Sequence, residues 1–342
     1  MGLLLPRICC HNKWMSLRIT AIVERWPVAG AFVIARGAKT FVDVLLVAAG
    51  DGAHAGLGEG TPIYYEGETA EHCLSQVMAV AEQLEEMGSH AARLAAQSML
   101  PRGAARNALD AAFWDLAAKQ AGMPLWQLAG LPEAVKPLPT AFTISLDDPD
   151  MMQMAAAKAA AAGYGLLKLK LTGQGDRVRV TAVRAGAPNA RLIVDANESW
   201  DELDVAAEAA ALAALGVEMI EQPVKAGNEA KLSGVRSSIP LVADESCHTA
   251  ADVAMCAQYY DGVNIKLDKA GGLTEALKLN AAARGAGLKV MVGCMLSTSL
   301  GIAPAFVLAQ GADWVDLDGP ALLAEDREEG FRFSGGMVSS HD

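Results

Sequence analysis

One feature recurs between residues 166 and 268: short apolar segments that each carry a charged side chain at or near their end. The segments span residues 166–171, 191–197, 218–223, 241–246 and 263–268. Intervals of 25, 26, 23 and 22 residues separate their successive charges, which are Lys170 (with Lys168 two residues before it), Asp195, Glu221, Asp244 and Lys266. Each interval fits one β-strand plus one crossover helix, so the charges recur at the same level of successive βα units.

This repeat predicts a parallel α/β barrel whose charged side chains lie at one rim. In a (β/α)₈ barrel the C-terminal strand ends converge on one pocket, where catalytic residues gather. Three carboxylates in the middle of the repeat and lysines outside them predict a site for a hard cation with bases beside it. Taken singly, each charged residue also fits a solvated strand end or a helix N-cap. Five charged residues at the same position of successive βα units favour a shared site.

Weaker patterns predict the rest of the barrel. Three further strands are predicted at residues 138–145, 288–293 and 313–318. Alanine-rich helical runs closed by glycine lie between the strands, as at 204–216 and 274–287. We therefore expect the barrel to span residues 131–320 and the segment 321–342 to return to the first domain.

From Ser16 the N-terminal third has the pattern of strands joined by turns. A hairpin is predicted at residues 36–39, a short third strand at 56–60, and helices at 68–88 and 105–122. Strands followed by helices indicate an α+β domain, which we place at residues 15–130. Residues 1–14 lack the exit site of a signal peptide and are predicted to be a disordered extension.

Two groups in this first domain are candidates for the barrel mouth. Arg36, at the hairpin tip, is placed to pair bidentately with a substrate carboxylate, and the alternative is a solvated turn residue. Tyr64 and Tyr65 lie in the stretch TPIYYEGET (61–69) and are candidate wall residues. For the tyrosines the alternative is packing between the two domains.

The composition excludes several classes of function. Of the 342 residues, 52% are hydrophobic and 20% are charged, which supplies a core and argues against disorder. A formal net charge of −12 disfavours nucleic acid or an anionic membrane as partner. Six cysteines without CxxC spacing disfavour a zinc site or a disulfide framework and favour a reducing cytoplasm. No apolar stretch reaches the length of a membrane span.

The residues at the rim predict proton-transfer chemistry. The three carboxylates supply oxygen ligands, which suits Mg²⁺. Lys168 and Lys170 point to the same side of their strand, and their mutual repulsion, together with a divalent cation, is expected to lower a lysine pKa toward the range of a base. A substrate carboxylate on the metal would present its α-carbon between Lys170 and Lys266. One base on each face predicts 1,1-proton transfer, meaning racemisation or epimerisation.

Asp316 and Asp318 stand two residues apart at the end of the last predicted strand. They can bind a substrate ammonium group by charge-assisted hydrogen bonds. The alternative is that they cap the turn before Gly319 and Pro320.

Several long motifs carry a resemblance to a known family. They are FVIARGAK (32–39), LPRGAARNALDAAFWDLAAK (100–119), KLKL (168–171), IVDANESW (193–200), IEQP (220–223), ADESCHT (243–249), VNIKLDKAGGLTEAL (263–277), GCMLSTS (293–299) and DLDGP (316–320). Together they resemble the enolase superfamily in its muconate-lactonising subgroup, and within it the L-Ala-D/L-Glu epimerases. The resemblance covers nearly everything from Met15 onward.

The resemblance implies an α/β fold, a modified TIM barrel of the (β/α)₇β type with an N-terminal α+β capping domain. It implies Mg²⁺ on Asp195, Glu221 and Asp244, with Lys170 and Lys266 as paired acid/bases and Lys168 and Asp268 beside them. It also implies that Asp316 and Asp318 hold the α-ammonium of a dipeptide and that Arg36 meets the glutamyl side-chain carboxylate.

The activity implied is epimerisation of L-Ala-D/L-Glu dipeptides at the α-carbon of the C-terminal residue, through an enolate intermediate. The setting implied is recycling of murein peptides by a cytoplasmic homo-oligomer. The capping-loop motif of this group, roughly TPYxxYGE, reads TPIYYEGE here, and Ser297 stands where relatives vary. We therefore expect Tyr65 and Ser297 to bear on which dipeptide is preferred.

Other functions stay open on the sequence. Within the superfamily, the same lysine pair serves N-acylamino-acid racemases, o-succinylbenzoate synthases and cycloisomerases, although Asp316 and Asp318 argue against these because their substrates carry no free ammonium. A Schiff-base aldolase using Lys170 leaves the three carboxylates unexplained. A metal-binding barrel without turnover needs neither base.

Overall fold

The computed structural model describes residues 17–34 and 37–340, with side chains described from 17 to 30 and from 37 to 340. The predictions made for residues 1–14 and for Arg36 lie outside the described residues. Three antiparallel strands come first in the described part: β1 (Arg18–Ile34), β2 (Gly37–Gly50) and β3 (Ala55–Gly60), in the order β1-β2-β3. Four helices follow: α1 (Ala70–Glu85), α2 (Ser89–Met99), α3 (Ala104–Ala121) and α4 (Leu125–Leu128).

The ends of these helices follow from local residues. The side chain of Thr69 accepts a hydrogen bond from the backbone amide of His72 (3.1 Å) and caps the start of α1. Gly122, with φ of 61°, ends α3 in the left-handed region that glycine adopts without strain. The predicted helices at 68–88 and 105–122 therefore form, and the first domain has the predicted α+β composition.

Helix α3 packs unusually close to strand β3 because one face of that strand has no side chains. Gly56, Gly58 and Gly60 alternate along β3, so they point to one face. A Cβ added at these positions would overlap the backbone carbonyl oxygens of Ala112, Ala108 and Ala104 of α3, respectively. This contact fixes β3, and the loop that follows it, against the barrel side of the domain.

The second part of the chain is an eight-stranded parallel sheet. Its strands, in an order that follows the sequence, are β5 (Phe142–Ile144), β6 (Leu166–Lys170), β7 (Arg191–Asp195), β8 (Val217–Glu221), β9 (Leu241–Ala243), β10 (Gly262–Lys266), β11 (Lys289–Gly293) and β12 (Trp314–Asp316). The amide of Ala141 donates to the carbonyl of Val315 (2.8 Å), which joins the last strand to the first. The predicted barrel with a separate α+β domain is confirmed.

Helices cover the outside of this sheet. They are α5 (Pro149–Ala161), α6 (Asp176–Gly186), α7 (Val205–Ala214), α8 (Val253–Tyr259), α9 (Leu267–Ala270), α10 (Leu273–Gly285) and α11 (Ser299–Leu308). Among the residues that the structure describes, no helix is both long and apolar enough to cross a membrane.

The barrel interior is arranged in two levels that follow from the period of a strand. Buried apolar side chains, which include Leu166, Ile193, Met219 and Val242, form one cluster inside the barrel. Two residues later on the same strands come Lys168, Asp195, Glu221 and Asp244, so they face the same interior one level nearer the C-terminal strand ends. The apolar level therefore forms the floor on which the charged level stands.

The predicted strand at 138–145 is divided. Only Phe142–Ile144 joins the barrel, whereas Leu138–Pro139 (β4) pairs with the hairpin formed by β13 (Arg332–Ser334) and β14 (Met337–Ser339). Pro139 has no amide hydrogen to donate to a neighbouring strand, so it does not fit within an interior strand of the barrel. Before that hairpin, the amide of Ala324 donates to the carbonyl of Pro27 in the first domain (2.9 Å). The domain boundaries proposed from the sequence stay predictions.

Candidate active site

Three carboxylates converge at the mouth of the barrel. Asp195 and Glu221 are the last residues of β7 and β8, and Asp244 follows the last residue of β9. All three are buried, and one oxygen atom of each lies within 4.8 Å of one oxygen of the other two. Three oxygen donors on adjacent strands are the donor set that Mg²⁺ prefers, so these residues fit such an ion.

Each carboxylate or its backbone is held by an amide. The backbone amide of Asn197 donates to Asp195 Oδ1 (2.8 Å), the side-chain amide of Asn264 donates to Glu221 Oε1 (2.7 Å), and the backbone amide of Asp244 donates to Gln222 Oε1 (2.8 Å). Asn197 and Gln222 have positive φ, at 44° and 37°. Strained backbone of this kind beside a buried polar cluster is typical of functional sites.

Lysines contact the carboxylate row at both ends. Lys170 Nζ lies 2.7 Å from Asp195 Oδ2, and Lys266 Nζ lies 2.7 Å from Asp244 Oδ2. Because Asp195 and Asp244 stand on either side of Glu221 in the order of strands, the two lysines approach the row from opposite ends. Both lysines also line one cavity.

Lys168 occupies the middle of the row and is fully buried. Its Nζ lies 2.6 Å from Glu221 Oε2 and 2.8 Å from Asp316 Oδ2. Burial works to lower the pKa of Lys168, but Asp316 and Glu221 hold that pKa well above its usual value. Burial and the carboxylates of Asp244 and Glu221 oppose each other in the same way at Lys266, whose pKa is also raised.

The carboxylates around Lys168 raise its pKa rather than lower it, and the lowering expected beside a divalent cation stays a prediction. Carboxylate oxygens of Glu221 and Asp316 lie within 2.8 Å of Lys168 Nζ, and their attraction outweighs the effect of burial on the pKa of Lys168. The carboxylates do not all respond alike, since burial, and next the charge of Asp195, raise the pKa of Glu221. Although burial works to raise it, Lys170 and Lys168 lower the pKa of Asp195 to about 2.

A cavity of about 80 Å³ lies above the carboxylate row. The barrel contributes Lys168, Lys170, Lys266, Asp244, Asp316 and Asp318 to its lining, and the first domain contributes Lys39, Thr61, Tyr64 and Tyr65. The two tyrosines predicted as wall residues are thus in the lining, with their rings edge to face at 5.4 Å. Residues of both the first domain and the barrel therefore line the cavity.

Asp316 and Asp318 both line this cavity but differ in their hydrogen-bond partners. Asp316 Oδ2 accepts a hydrogen bond from Lys168 Nζ (2.8 Å), and Asp316 Oδ1 is buried without a hydrogen-bond partner among the described residues. Asp318 Oδ2 accepts from the backbone amide of Thr143 (2.6 Å). Burial, and next the charge of Asp316, raise the pKa of Asp318 to about 7. An oxygen left open at Asp316 is suited to a hydrogen-bond donor from a ligand.

The structure does not bring Asp268 or Ser297 into the cavity lining. Asp268 Oδ1 instead accepts hydrogen bonds from the backbone amide of Thr61 (2.9 Å) and from the side chain of Asn107 (2.8 Å), both in the first domain. One oxygen of Asp268 is therefore used between the domains, and the role of Asp268 beside the paired lysines, as a residue that binds substrate, stays a prediction. Ser297 is buried, with its hydroxyl close to Gly301.

Sequence reasoning missed Lys39 as a site residue. This lysine lies near the start of β2, and its Nζ stands 4.1 Å above the ring centroid of Tyr64. Burial lowers the pKa of Lys39, and it forms no ion pair with another residue that the structure describes. A second basic residue three positions after Arg36 in the hairpin segment was the available signal.

Two family models of known proteins match most of the chain. The family model described as "Enolase C-terminal domain-like" matches residues 150–342, and "Mandelate racemase / muconate lactonizing enzyme, N-terminal domain" matches residues 17–130. The L-Ala-D/L-Glu epimerase of Escherichia coli is 44% identical over 92% of this chain and 97% of its own length.

Two solved structures are similar over almost the whole chain. One is an enolase family member from Agrobacterium tumefaciens with homology to dipeptide epimerases, solved with bound sodium and L-Ala-L-Glu. It is 43% identical, with a TM-score of 0.90 over 95% of this chain and 98% of that one. The other is a dipeptide epimerase from Cytophaga hutchinsonii complexed with Mg and D-Ala-L-Val, at 25% identity and a TM-score of 0.89 over 95% and 94% of the two chains.

Proposed function

The chain belongs to the mandelate racemase / muconate lactonizing enzyme family of enolase-like proteins, and from this premise we propose that it is a Mg²⁺-dependent dipeptide epimerase. The substrates proposed are L-Ala-D/L-Glu-type dipeptides, inverted at the α-carbon of the C-terminal residue. The observation that carries the proposal is the placement of Lys170 and Lys266 at opposite ends of one carboxylate row around one cavity.

The carboxylates of Asp195, Glu221 and Asp244 would hold the metal ion. When bound there, Mg²⁺ would neutralise negative charge that develops on the substrate carboxylate. Lys170 and Lys266 are proposed as the acid/base pair: one accepts the α-proton, and the other delivers a proton to the opposite face of the resulting enolate. Lys168, fixed between Glu221 and Asp316, is proposed to stay cationic and stabilise that negative charge.

The two ends of the dipeptide are assigned to charges at the cavity wall. The open Oδ1 of Asp316 and the carboxylate of Asp318 would accept hydrogen bonds from the α-ammonium group. Lys39, and Arg36 as implied by the family, would meet the side-chain carboxylate of the C-terminal residue. Opposite charges at opposite ends favour one orientation of a zwitterionic peptide with an acidic side chain.

The biological setting is proposed on more general grounds. Peptides with glutamate after L-alanine arise in murein recycling, and we propose that the protein serves it in the cytoplasm. The four cysteines of the described residues, Cys73, Cys247, Cys256 and Cys294, are free thiols, which supports a reducing compartment. A homo-oligomer is proposed from the family alone.

Incubation of L-Ala-L-Glu in D₂O tests the reaction. The protein should form L-Ala-D-Glu and place deuterium at the α-carbon of glutamate, as followed by ¹H NMR and chiral chromatography. Lys170→Ala and Lys266→Ala should each lower the rate of inversion by roughly 10²- to 10⁴-fold. Each should also keep exchange for the one epimer whose proton the remaining lysine removes.

The matched control is Lys278→Ala, since Lys278 is exposed and, among the residues that the structure describes, forms an ion pair only with Glu275 on its own helix. It should leave inversion unchanged. Inversion that retains protium, or full activity in either lysine variant, would rule out the two-base mechanism. Activity that survives exhaustive chelation would argue against the metal.

A further inference from the structure

Lys269 is a buried lysine that the proposed reaction does not use. It lies on the short helix α9, three residues after Lys266, and is only 1% exposed. Unlike Lys266, it does not line the cavity. A lysine is seldom buried to this degree unless several acceptors satisfy its ammonium group, so its contacts define its role.

The acceptors around Lys269 all belong to the segments that carry or support Asp244. Its Nζ lies 2.5 Å from Asp244 Oδ1 and donates to the carbonyl oxygens of Asp244, Cys247 (3.0 Å) and Asn264 (3.1 Å). One ammonium therefore contacts both the carboxylate and the backbone of Asp244. It also joins the turn after β9 to strand β10.

The two oxygens of Asp244 have different partners. Lys266 contacts Oδ2 from the cavity side, and Lys269 contacts Oδ1 from a position outside the cavity. Gln222 supports the same turn, since its Oε1 accepts from the amides of Asp244 and Ser246 (2.8 and 3.1 Å). A cation or substrate entering from the cavity would meet Lys266, and the Lys269 contact would remain.

We infer that Lys269 is a positioning residue that orients Asp244 for divalent cation binding and so sets the affinity of the site for Mg²⁺. The inference rests on the proposed metal site. Two effects of Lys269 on cation binding oppose each other. Its ammonium group repels a cation bound to Asp244, which weakens binding. It also holds the Asp244 carboxylate in place, so that the carboxylate need not be ordered when the cation binds. Loss of such an outer partner typically lowers metal affinity by 10- to 100-fold, so orientation is the larger effect.

Mg²⁺ titration of chelator-stripped protein by calorimetry, without substrate, tests this role. Lys269→Met should weaken the Mg²⁺ Kd by about 10- to 100-fold. Lys269→Arg, whose guanidinium can donate to the same carboxylate and carbonyl groups, should recover most of that loss. Lys278→Met removes an exposed lysine from the next helix and should leave the Kd unchanged.

The melting temperature with and without Mg²⁺ separates this role from a purely structural one. If Lys269 only stabilises the fold, Lys269→Met lowers both melting temperatures equally and Mg²⁺ still raises them by the wild-type amount, which overturns the inference. The inference requires a smaller Mg²⁺-induced increase. If Lys269→Met does not fold, the Mg²⁺ Kd is measured for Lys269→Gln, which keeps an amide donor. A wild-type Kd in that variant overturns the inference.

Failure of the inference is distinguishable from failure of the proposed function. A wild-type protein that binds no Mg²⁺ rejects the metal site on which both depend. A wild-type protein that binds Mg²⁺ and inverts L-Ala-L-Glu, with an unchanged Kd in Lys269→Met, rejects only the role of Lys269.

Discussion

Substitution of Lys39 tests whether this residue binds the side-chain carboxylate of the substrate or only packs against Tyr64. Its ammonium lies over the ring of Tyr64 and lines the cavity. Lys39→Met should lower kcat/KM for L-Ala-L-Glu by about 10- to 100-fold, because a hydrogen bond to a charged group contributes about 1.5–3 kcal/mol. The uncharged isostere L-Ala-L-Gln should lose little. Kinetics with both peptides check this, and equal losses would show that Lys39 only packs.

Asp318 distinguishes a dipeptide from an N-acylated amino acid. Asp318→Asn keeps an oxygen that can accept from the Thr143 amide but removes the negative charge that Asp318 carries above about pH 7, where the assay is run. We expect kcat/KM for L-Ala-L-Glu to fall about 10- to 100-fold, since the charged partner of the ammonium is lost. N-acetyl-glutamate has no ammonium and should be affected far less. Similar losses for both substrates would remove the ammonium assignment and favour an N-acylamino-acid racemase.

At the residue scale, the sequence was sufficient for groups that the strand period places together. Lys168, Lys170, Asp195, Glu221, Asp244 and Lys266 lie at or near the C-terminal ends of consecutive strands, so their spacing alone predicts that they meet. Lys39 and Asp268 depend on how the first domain sits on the barrel, which no local period encodes. The pKa values of the lysines likewise depend on which carboxylates come within 3 Å.

At the scale of elements, the contact between β3 and α3 shows what the apolar pattern misses. The sequence GLGEG was predicted as a short strand, but glycine leaves no pattern of side chains from which to infer a packing face. Helix α2 (Ser89–Met99) was not predicted. By contrast, the barrel strands were placed within a few residues, because runs buried on both faces are apolar throughout.

Gly58→Ala tests the close approach of that strand and helix. The added methyl group would lie 2.8 Å from the Cβ of Ala111 and would also overlap the backbone of α3, which cannot rotate away. We expect the free energy of unfolding to fall by about 1–3 kcal/mol, the usual cost of overpacking. Urea or thermal unfolding followed by circular dichroism measures this.

Gly285→Ala is the control for that substitution. Gly285 is the last residue of α10, and a Cβ there would meet nothing within 4 Å. Replacing it should leave stability unchanged or raise it by about 0.5–1 kcal/mol, because alanine is the better helix former. Equal stability in the Gly58 and Gly285 variants would mean that β3 can move away from α3 at no cost.

At the scale of the whole molecule, the two domains are joined by buried polar contacts. Arg106 of α3 donates to the carbonyl oxygens of Ala270 (2.7 Å) and Gly271 (3.0 Å) in the barrel. Arg327 donates to Glu24 and Glu59 of the first domain and to Thr298 of the barrel, each at 2.7 Å. Such contacts hold the first domain over the cavity, and their partners are far apart in the sequence, which is why the sequence could not predict them.

The contact of Asp268 with Thr61 and Asn107 of the first domain is expected to depend on pH. Burial, opposed by the hydrogen bonds from Thr61 and Asn107, raises the pKa of Asp268 to about 7, and the nearby carboxylates of Glu68 and Glu59 act in the same direction as burial. In the unfolded chain, the pKa of this side chain is the ordinary aspartate value of 3.8. The folded protein therefore binds a proton that the unfolded chain has lost, and this contribution to stability is complete below about pH 4 and disappears as the pH rises through 7.

Asp268→Asn removes that titration while keeping an oxygen that can accept the hydrogen bonds from Thr61 and Asn107. Relative to wild type, the variant should gain stability as the pH rises from 4 to 7, by up to about 1.4 kcal/mol per pH unit, and the difference should level off above 7. Unfolding by urea at a series of pH values measures it. If the two stability curves stay parallel from pH 4 to 8, Asp268 is ionised throughout, and the docking of the first domain does not depend on its protonation.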